Sequence, residues 1–507
     1  MNQPTRREFM KKAGFAAAAV SITGCRGIVD AVVRDNKRHK PNLVYIFADQ
    51  LGYKHCGYSG NEKAHTPNID RLASEGADFF NAVSTMPVCS AHRASLFTGK
   101  YPTTTGMVIN ELRMNPNHRC FGHILTDSGY ETGYIGKWHL YANQLGKHHD
   151  AKNSFIPPGP DRLGFDGYWA AYNFNHIYYG AYYHRDTAEK VYYGEGVYET
   201  DGQTDLAVDF INKNIKSEKR FALFLSWGPP HDPWNEGNVP RQNYEMFKDV
   251  SLPNPPNYKD KNDKYADGWG RLSKEGRRKL EEWRRIYYAQ TASVDANLER
   301  ILKVIKNAGI EDDTIVVFSS DHGEMFGAQG RRAKNIFYEE AARVPFIIRW
   351  PEKIAAGTKS DVCLGTVDIM PTVVGLMNLE IPKEVEGIDL SGCATGEKGD
   401  APEFAFLQNT GACAVFEDGH EWRALRDKLF TYAKYRIDGF ELLFDNKNDP
   451  YQMNNLSKNP EFKDNIEKYR KMLAEKMSEL NDNFEKCTWY RDNFTDGNRL
   501  ILHGAKG

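Results

Sequence analysis

A chain of 507 residues, 40% hydrophobic and 26% charged, is long enough for one large α/β domain or two to three smaller ones. Its formal net charge of −2 makes nucleic acid a poor partner, and any anionic ligand would need positive charge gathered in one pocket. The eight cysteines show no paired zinc spacing, and no internal repeat or low-complexity tract interrupts the sequence.

The first 24 residues stand apart. "TRREFMKKAGFAAAAVSITGC" has paired Arg6 and Arg7, a short apolar run, then Ile22-Thr23-Gly24-Cys25. This predicts a twin-arginine export signal ending in a lipobox-like motif, with an apolar run too short for a permanent membrane span. The expected location is the periplasm or outer surface, either anchored by lipid on Cys25 or freed by simple cleavage. Removal of residues 1–24 takes the net charge to −5. Residues 25–40 read as a linker.

"PNLVYIFADQLG", 41–52, predicts a buried strand that runs into a loop at Asp49 and Gln50. "TPNIDRLASEGADF" predicts a helix that starts at Thr66-Pro67 and ends at Gly76. "SAHRASLFTG" has helical character and ends at Gly99, which puts Cys89 at or near a helix N-terminus. "ILTDSGYETGYIGKWHL" reads as a helix end, a turn and a strand with Lys137 and His139 at its exit. "RFALFLSWGPPHDP" repeats the pattern with His231 in the loop, a long helix spans roughly Ser273 to Asn307, and "DDTIVVFSSDHGE" ends in Asp321 and His322. "RVPFIIRWP" is a further strand. This alternation predicts a layered α/β domain over 41–399 with a large, mostly parallel sheet. Residues 400–507 read as a smaller α+β subdomain: short antiparallel strands, then an amphipathic helix from about Pro460 to Leu480.

Four strand ends thus deliver polar groups: Asp49-Gln50, Lys137 with His139, His231, and Asp321-His322. One such end is ordinary turn chemistry; four from one sheet suggest a site, because ligands in open α/β sheets gather at the carboxyl ends of strands. Asp49, Gln50, Asp321 and His322 offer hard oxygens and one imidazole. That set suits calcium or magnesium, does not choose between them, and disfavours zinc. Arg93, Lys137 and Lys334 would add the positive charge that a tetrahedral oxyanion needs, and His139 and His231 can move protons. On residue types alone Cys89 is either a thiol acidified at a helix N-terminus or an inert core cysteine. The remaining cysteines read as buried apolar residues, with any disulfide pairing unassigned.

With these residues in place, the sequence resembles the type I sulfatases of the alkaline phosphatase superfamily. Cys89-Ser90-Ala91-His92-Arg93, continued by Leu96, Thr98 and Gly99, looks like the family signature. "FADQLG", "GYIGKWHL", "PPHDP", "TIVVFSSDHGE", "RAKNIFYEEAARVPFIIRWP" and "ELLFDNKNDPYQMNNL" follow in family order. The resemblance implies that a maturation enzyme oxidises Cys89 to formylglycine (3-oxoalanine). It implies one calcium ion held by Asp49, Gln50, Asp321 and His322 together with modified residue 89. It implies that Arg93 orients the aldehyde hydrate, Lys137 and Lys334 grip sulfate, His231 stands at the leaving oxygen, and His139 takes the proton that lets a covalent sulfate hemiacetal collapse. Two positions depart from the family: Gln50 stands where an aspartate is common, and Ala91-His92 where Pro and Ser are frequent.

The implied substrate is a sulfated polysaccharide or its oligosaccharides. Between Gly167 and Asp201, eleven aromatics in 35 residues form either a carbohydrate platform or an insert packed on the sheet. The competing readings are a phosphodiesterase or phosphonate monoester hydrolase with the same site, and an inactive protein that only binds sulfated glycan.

Overall fold

The computed structural model describes residues 40–506, apart from 143–146, 148, 149, 218, 398–400 and 498. The predicted export signal, Cys25 and nearly all of the predicted linker lie outside the described residues. Residues Asn42–Gly507 make one compact unit.

Its centre is an eight-stranded sheet. The strands are β1 (Asn42–Ala48), β2 (Ala77–Phe79), β3 (Glu131–Lys137), β4 (Tyr168–Tyr172), β7 (Phe221–Trp227), β8 (Thr314–Ser320), β9 (Phe346–Arg349) and β10 (Thr358–Ser360). Between β4 and β7 a separate two-stranded ribbon pairs β5 (Tyr182–Tyr183) with β6 (Val191–Tyr192). The order across the large sheet is β10-β2-β9-β8-β1-β7-β3-β4. Five neighbouring pairs are parallel, and β9 runs antiparallel to both β8 and β2.

After Asn42 the run "NLVYIFA" is apolar because β1 is covered on both faces. Leu43, Tyr45 and Phe47 enter one core and Val44, Ile46 and Ala48 the other, as the two-residue period of a strand requires. On the second face lie helices α1 (Pro67–Glu75), α3 (Glu199–Lys216) and α4 (Lys274–Asn307), through Ile69, Ile211 and Leu298 among others. On the first face lie α2 (Cys89–Thr98) and α5 (Thr366–Leu376), through Leu96, Phe97, Met370 and Val373.

Helix ends follow local chemistry. Ser273 Oγ accepts from Gly276 N at 2.9 Å to open α4, and Gly99, at φ 64, closes α2 in a conformation that other residues adopt at a cost. Thr66 precedes α1 as predicted, but its hydroxyl donates to Asp70 at 2.9 Å and accepts from Gly57 N, so it ties the preceding loop to the helix.

A four-stranded antiparallel sheet follows: β11 (Ala405–Asn409), β12 (Trp422–Arg426), β13 (Phe430–Tyr435) and β14 (Glu441–Asp445), paired in sequence order. Helix α6 (Lys463–Glu479) lays Ile466, Tyr469 and Leu473 against it. This sheet shares a core with residues 325–342, where Phe337 meets Trp422 edge-on at 5.1 Å. The last residues return to the main core, where Cys487, Tyr490, Phe494 and Ile501 are buried. Of the seven described cysteines six are buried and form no disulfide with one another, and Cys393 is half-buried.

Candidate active site

Strands β8, β1, β7 and β3 are neighbours and all parallel, so their carboxyl ends share one edge. That edge sets Asp321-His322, Asp49-Gln50, His231 and Lys137-His139 side by side. Gln50 (φ 69) and His139 (φ 56) both adopt left-handed backbone, a strained choice for residues with a Cβ that keeps both chains turned along the edge. Gln50 N is held there by Asp321 Oδ1 at 2.9 Å.

Helix α2 approaches from the first face with Cys89 as its first residue. Asp49, Cys89, Asp321 and His322 are fully buried, and each offers a ligand atom within 4.8 Å of the others. His322 Nδ1 donates to the Gly323 carbonyl at 3.0 Å, which leaves Nε2 to face the cluster, 3.2 Å from Cys89 Sγ. Two carboxylates and a sulfur turned on one another repel unless a cation sits among them, so this donor set fits a divalent metal.

Gln50 completes the set indirectly. Its Nε2 donates to buried Glu324 at 2.7 Å, and its Oε1 accepts from Lys334 Nζ at 3.1 Å. The amide oxygen therefore faces the centre. Glu324 was not singled out from the sequence; it stands three residues after Asp321 in "SDHGE", and that closeness is the available signal.

Three buried cations surround the cluster. Arg93 donates to the Lys137 carbonyl (2.6 Å) and Ser226 Oγ (2.8 Å), and its other arm stands 3.5 Å from both Asp49 and Asp321. Gly136 lets β3 lie this close to β7, since a Cβ there would be 2.0 Å from the Ser226 carbonyl. Lys137 Nζ contacts Asp49 at 2.5 Å, and Lys334 Nζ reaches Cys89 Sγ at 3.1 Å and His231 Nε2 at 2.8 Å. Burial and Cys89 both oppose ionisation of Asp49, but Lys137, His231 and Lys334 outweigh them and hold its carboxyl well below the usual range. Burial also opposes a charge on Cys89, yet Lys137, Lys334 and His322 pull it well below an ordinary thiol. Asp321 is raised by burial and by Asp49.

The two proposed proton carriers differ. His231 is pushed up to about 9: burial and Lys334 oppose its charge, and Asp232 and Asp49 overcome them. Asp232 Oδ1 lies 2.7 Å from His231 Nδ1. His139 is pushed down to about 3 by burial and Lys137. Its ring rests on Phe174 (4.6 Å between centres), the same ring that Lys137 Nζ overlies at 4.8 Å. His92, at the departure inside the signature, points away, with Nδ1 at 3.0 Å from Ser84 Oγ and 3.1 Å from Thr366 Oγ1.

All ten residues singled out from the sequence thus meet at one centre. A cavity of about 280 Å³ opens from Gln50, His231 and Lys334 toward Trp269 and Arg332. The aromatic stretch contributes little to it. Tyr172, Tyr178, Tyr182, Tyr183 and Tyr198 are buried, only Tyr192 stands out at 60% exposure, and Phe174 and His176 alone reach the cavity. Packing therefore accounts for most of that stretch.

A sulfatase family model matches residues 41–379, and a model of the C-terminal part of N-sulphoglucosamine sulphohydrolase matches residues 327–482. An ulvan-active sulfatase of Formosa agariphila is 36% identical over 481 residues, spanning 94% of this chain and 88% of its own. An endo-4-O-sulfatase of Bacteroides thetaiotaomicron is 28% identical over 89% of this chain and 94% of its own. Among solved structures, the sulfatase yidJ from Bacteroides fragilis superposes with a TM-score of 0.76 at 32% identity, covering 89% of this chain and 97% of that one.

Proposed function

This chain belongs to the sulfatase family and is a sulfuric ester hydrolase, and from that premise we propose that it removes sulfate from sulfated carbohydrate through a formylglycine made from Cys89 and a calcium ion. The observation that carries the reading is the buried quartet of Asp49, Cys89, Asp321 and His322 under three cations. Homologues of this chain act on sulfated carbohydrates, two of them on ulvan.

Asp49, Asp321, His322 and the Gln50 amide oxygen would hold calcium. When bound, the ion would polarise a sulfuryl oxygen and acidify a hydroxyl on residue 89. In the structure Cys89 Sγ stands where the reacting oxygen of the modified side chain would be. Lys137 and Lys334 bind the sulfuryl oxygens and offset their charge in a buried site, where fixed cations act most strongly. Arg93, held by Ser226 and the Lys137 carbonyl, orients residue 89. His231, kept protonated by Asp232, gives its proton to the departing sugar oxygen, and neutral His139 takes one from residue 89.

We further propose that the protein is exported through its twin-arginine segment after a formylglycine-generating enzyme has acted, with Cys25 available for lipid attachment. Cell fractionation of the wild type and of an Arg6→Lys, Arg7→Lys variant tests that route.

The test of function is sulfate release from a panel of defined sulfated mono- and oligosaccharides, with calcium present and residue 89 shown to be aldehyde. Release from at least one sugar supports the reading. Turnover of a phosphodiester or phosphonate ester alone would overturn it.

A further inference from the structure

We propose that Trp269, Arg332 and His176 form a second subsite, for the sugar ring beside the one that carries the scissile sulfate, and that this neighbouring ring is anionic. The inference rests on the sulfated-carbohydrate reading above and adds to it the charge of the flanking sugar.

The cavity continues past the groups assigned to sulfate. His231 and Lys334 line one end, and Trp269 and Arg332 lie farther along its wall. Trp269 is 49% exposed, one of few large apolar side chains left in water, and it sits between Gly268 and Gly270. A bare indole at the mouth of a polar cavity costs hydration free energy, and the apolar C–H face of a pyranose would cover it.

Arg332 supplies the charge. Its guanidinium stands 5.3 Å over the Trp283 ring, and its Nε has no hydrogen-bond partner among the described residues. Its one carboxylate contact among the described residues is long, 3.4 Å to Asp232 Oδ2. Asp232 spends its other oxygen on His231, so Arg332 is left without a close carboxylate partner at the cavity wall. Nearby Glu324 attracts Arg332 from a distance, but its oxygens are taken by Gln50 and the amides of Phe326 and Ala333. Glu111, also lining the cavity, is pushed up to about 7 by burial against the pull of Arg499 and Lys137, so much of it is uncharged near neutral pH. A guanidinium with an unused N–H matches a carboxylate or a second sulfate.

His176 supplies the polar match. Its ring lies parallel on His231, 3.8 Å between centres and 5° between planes. Burial, then His231 and Lys137, push its pKa well below the usual value, so the ring is neutral. Both of its nitrogens lack partners among the described residues. A neutral imidazole offers one donor and one acceptor, which is what a sugar hydroxyl needs.

The experiment compares kcat/KM of wild type, Arg332→Gln and Trp269→Ala on four substrates: a sulfated monosaccharide, and disaccharides bearing the same sulfate beside a neutral sugar, a uronate, or a second sulfated sugar. Arg332→Gln is expected to lose about tenfold more on an anionic disaccharide than on the monosaccharide, mostly through KM. Whether the uronate or the second sulfate shows that excess identifies the anion. Trp269→Ala is expected to weaken every disaccharide relative to the monosaccharide. Equal loss on all four substrates, or no loss, would overturn the subsite while leaving the activity in place. A wild type that releases sulfate from none of them would overturn the activity itself and the subsite with it.

Discussion

Gln50 Nε2 donates to Glu324 Oε2 across 2.7 Å, and that single bond decides which way the amide faces. Both residues are buried, and Glu324 Oε1 is already taken by the amides of Ala333 (2.7 Å) and Phe326 (3.1 Å). A glutamine at a position where the family often has aspartate lowers the negative charge of the centre. Its value as an oxygen donor then depends on an anchor for its nitrogen. Glu324→Ala is expected to weaken calcium binding by about 10- to 100-fold, the usual effect of removing a group that orients a metal ligand. Glu324→Gln keeps an acceptor and should fall between. Calcium titrations of both melting temperature and activity read the change; a wild-type calcium dependence in Glu324→Ala would refute this role.

Cys89 sits where its thiol would ionise readily, 3.1 Å from Lys334 and 3.2 Å from His322 Nε2. The same cations suit an oxygen nucleophile. Cys89→Ala should lower kcat by roughly 10⁶-fold with the fold retained, in line with loss of other enzymic nucleophiles. A mass spectrum of the peptide containing residue 89 should show aldehyde when the maturation enzyme is co-expressed, with activity proportional to the aldehyde fraction. Full activity from protein carrying only thiol would rule the modification out.

Much of this was legible in the sequence because the residues involved are tied to local patterns. The apolar runs of β1, β7 and β8 end in chemistry, and parallel neighbours align their ends. Pairing across the sheet was less legible: β9 is a four-residue run, too short to show that it lies antiparallel between β8 and β2. Roles that depend on distant partners were not legible at all. Nothing local marks His176 as the ring stacked on His231, 55 positions away, or sends Cys487 and Phe494 back to the first core. Composition left the aromatic stretch open between platform and packing, since a tyrosine reads alike whether it is buried or exposed.

Arg423 and Asp482 are both fully buried and form a two-armed ion pair, with Arg423 Nη2 to Asp482 Oδ1 at 2.7 Å. Arg423 also donates to the Asn409 carbonyl (2.6 Å) and to Tyr490 Oη (3.1 Å), so it joins β11, β12 and the final helical turn region. Arg423→Ala strands a buried carboxylate and is expected to destabilise the fold by about 3–5 kcal/mol. Urea unfolding followed by tryptophan fluorescence measures it, and a change within about 1 kcal/mol would show that water reaches Asp482.

His231 and His139 titrate on opposite sides of neutrality, and the sign of each shift sets a limb of the pH profile. His231, pushed up to about 9, carries its proton below that value and loses it as pH rises through it. An acid that protonates the leaving oxygen should therefore give a kcat/KM that is level near neutrality and falls above about pH 9. His139, pushed down to about 3, is neutral across that range and can accept a proton throughout. In the free enzyme Lys334 Nζ lies 2.8 Å from His231 Nε2, and its charge opposes the protonated ring without overcoming Asp232 and Asp49. A bound sulfuryl group draws the ammonium toward its oxygens and relieves that repulsion, so His231 holds its proton to higher pH. The alkaline limb of kcat should then lie at higher pH than that of kcat/KM, which reports the free enzyme. His231→Gln should abolish the limb. It should cost roughly 10²–10⁴-fold on a sugar sulfate, whose alkoxide leaves poorly, and far less on a nitrophenyl sulfate, whose phenolate needs no proton. Rates of wild type and variant on both substrates from pH 5 to about 10 test this; equal losses on the two would mean that His231 binds sulfate and donates nothing.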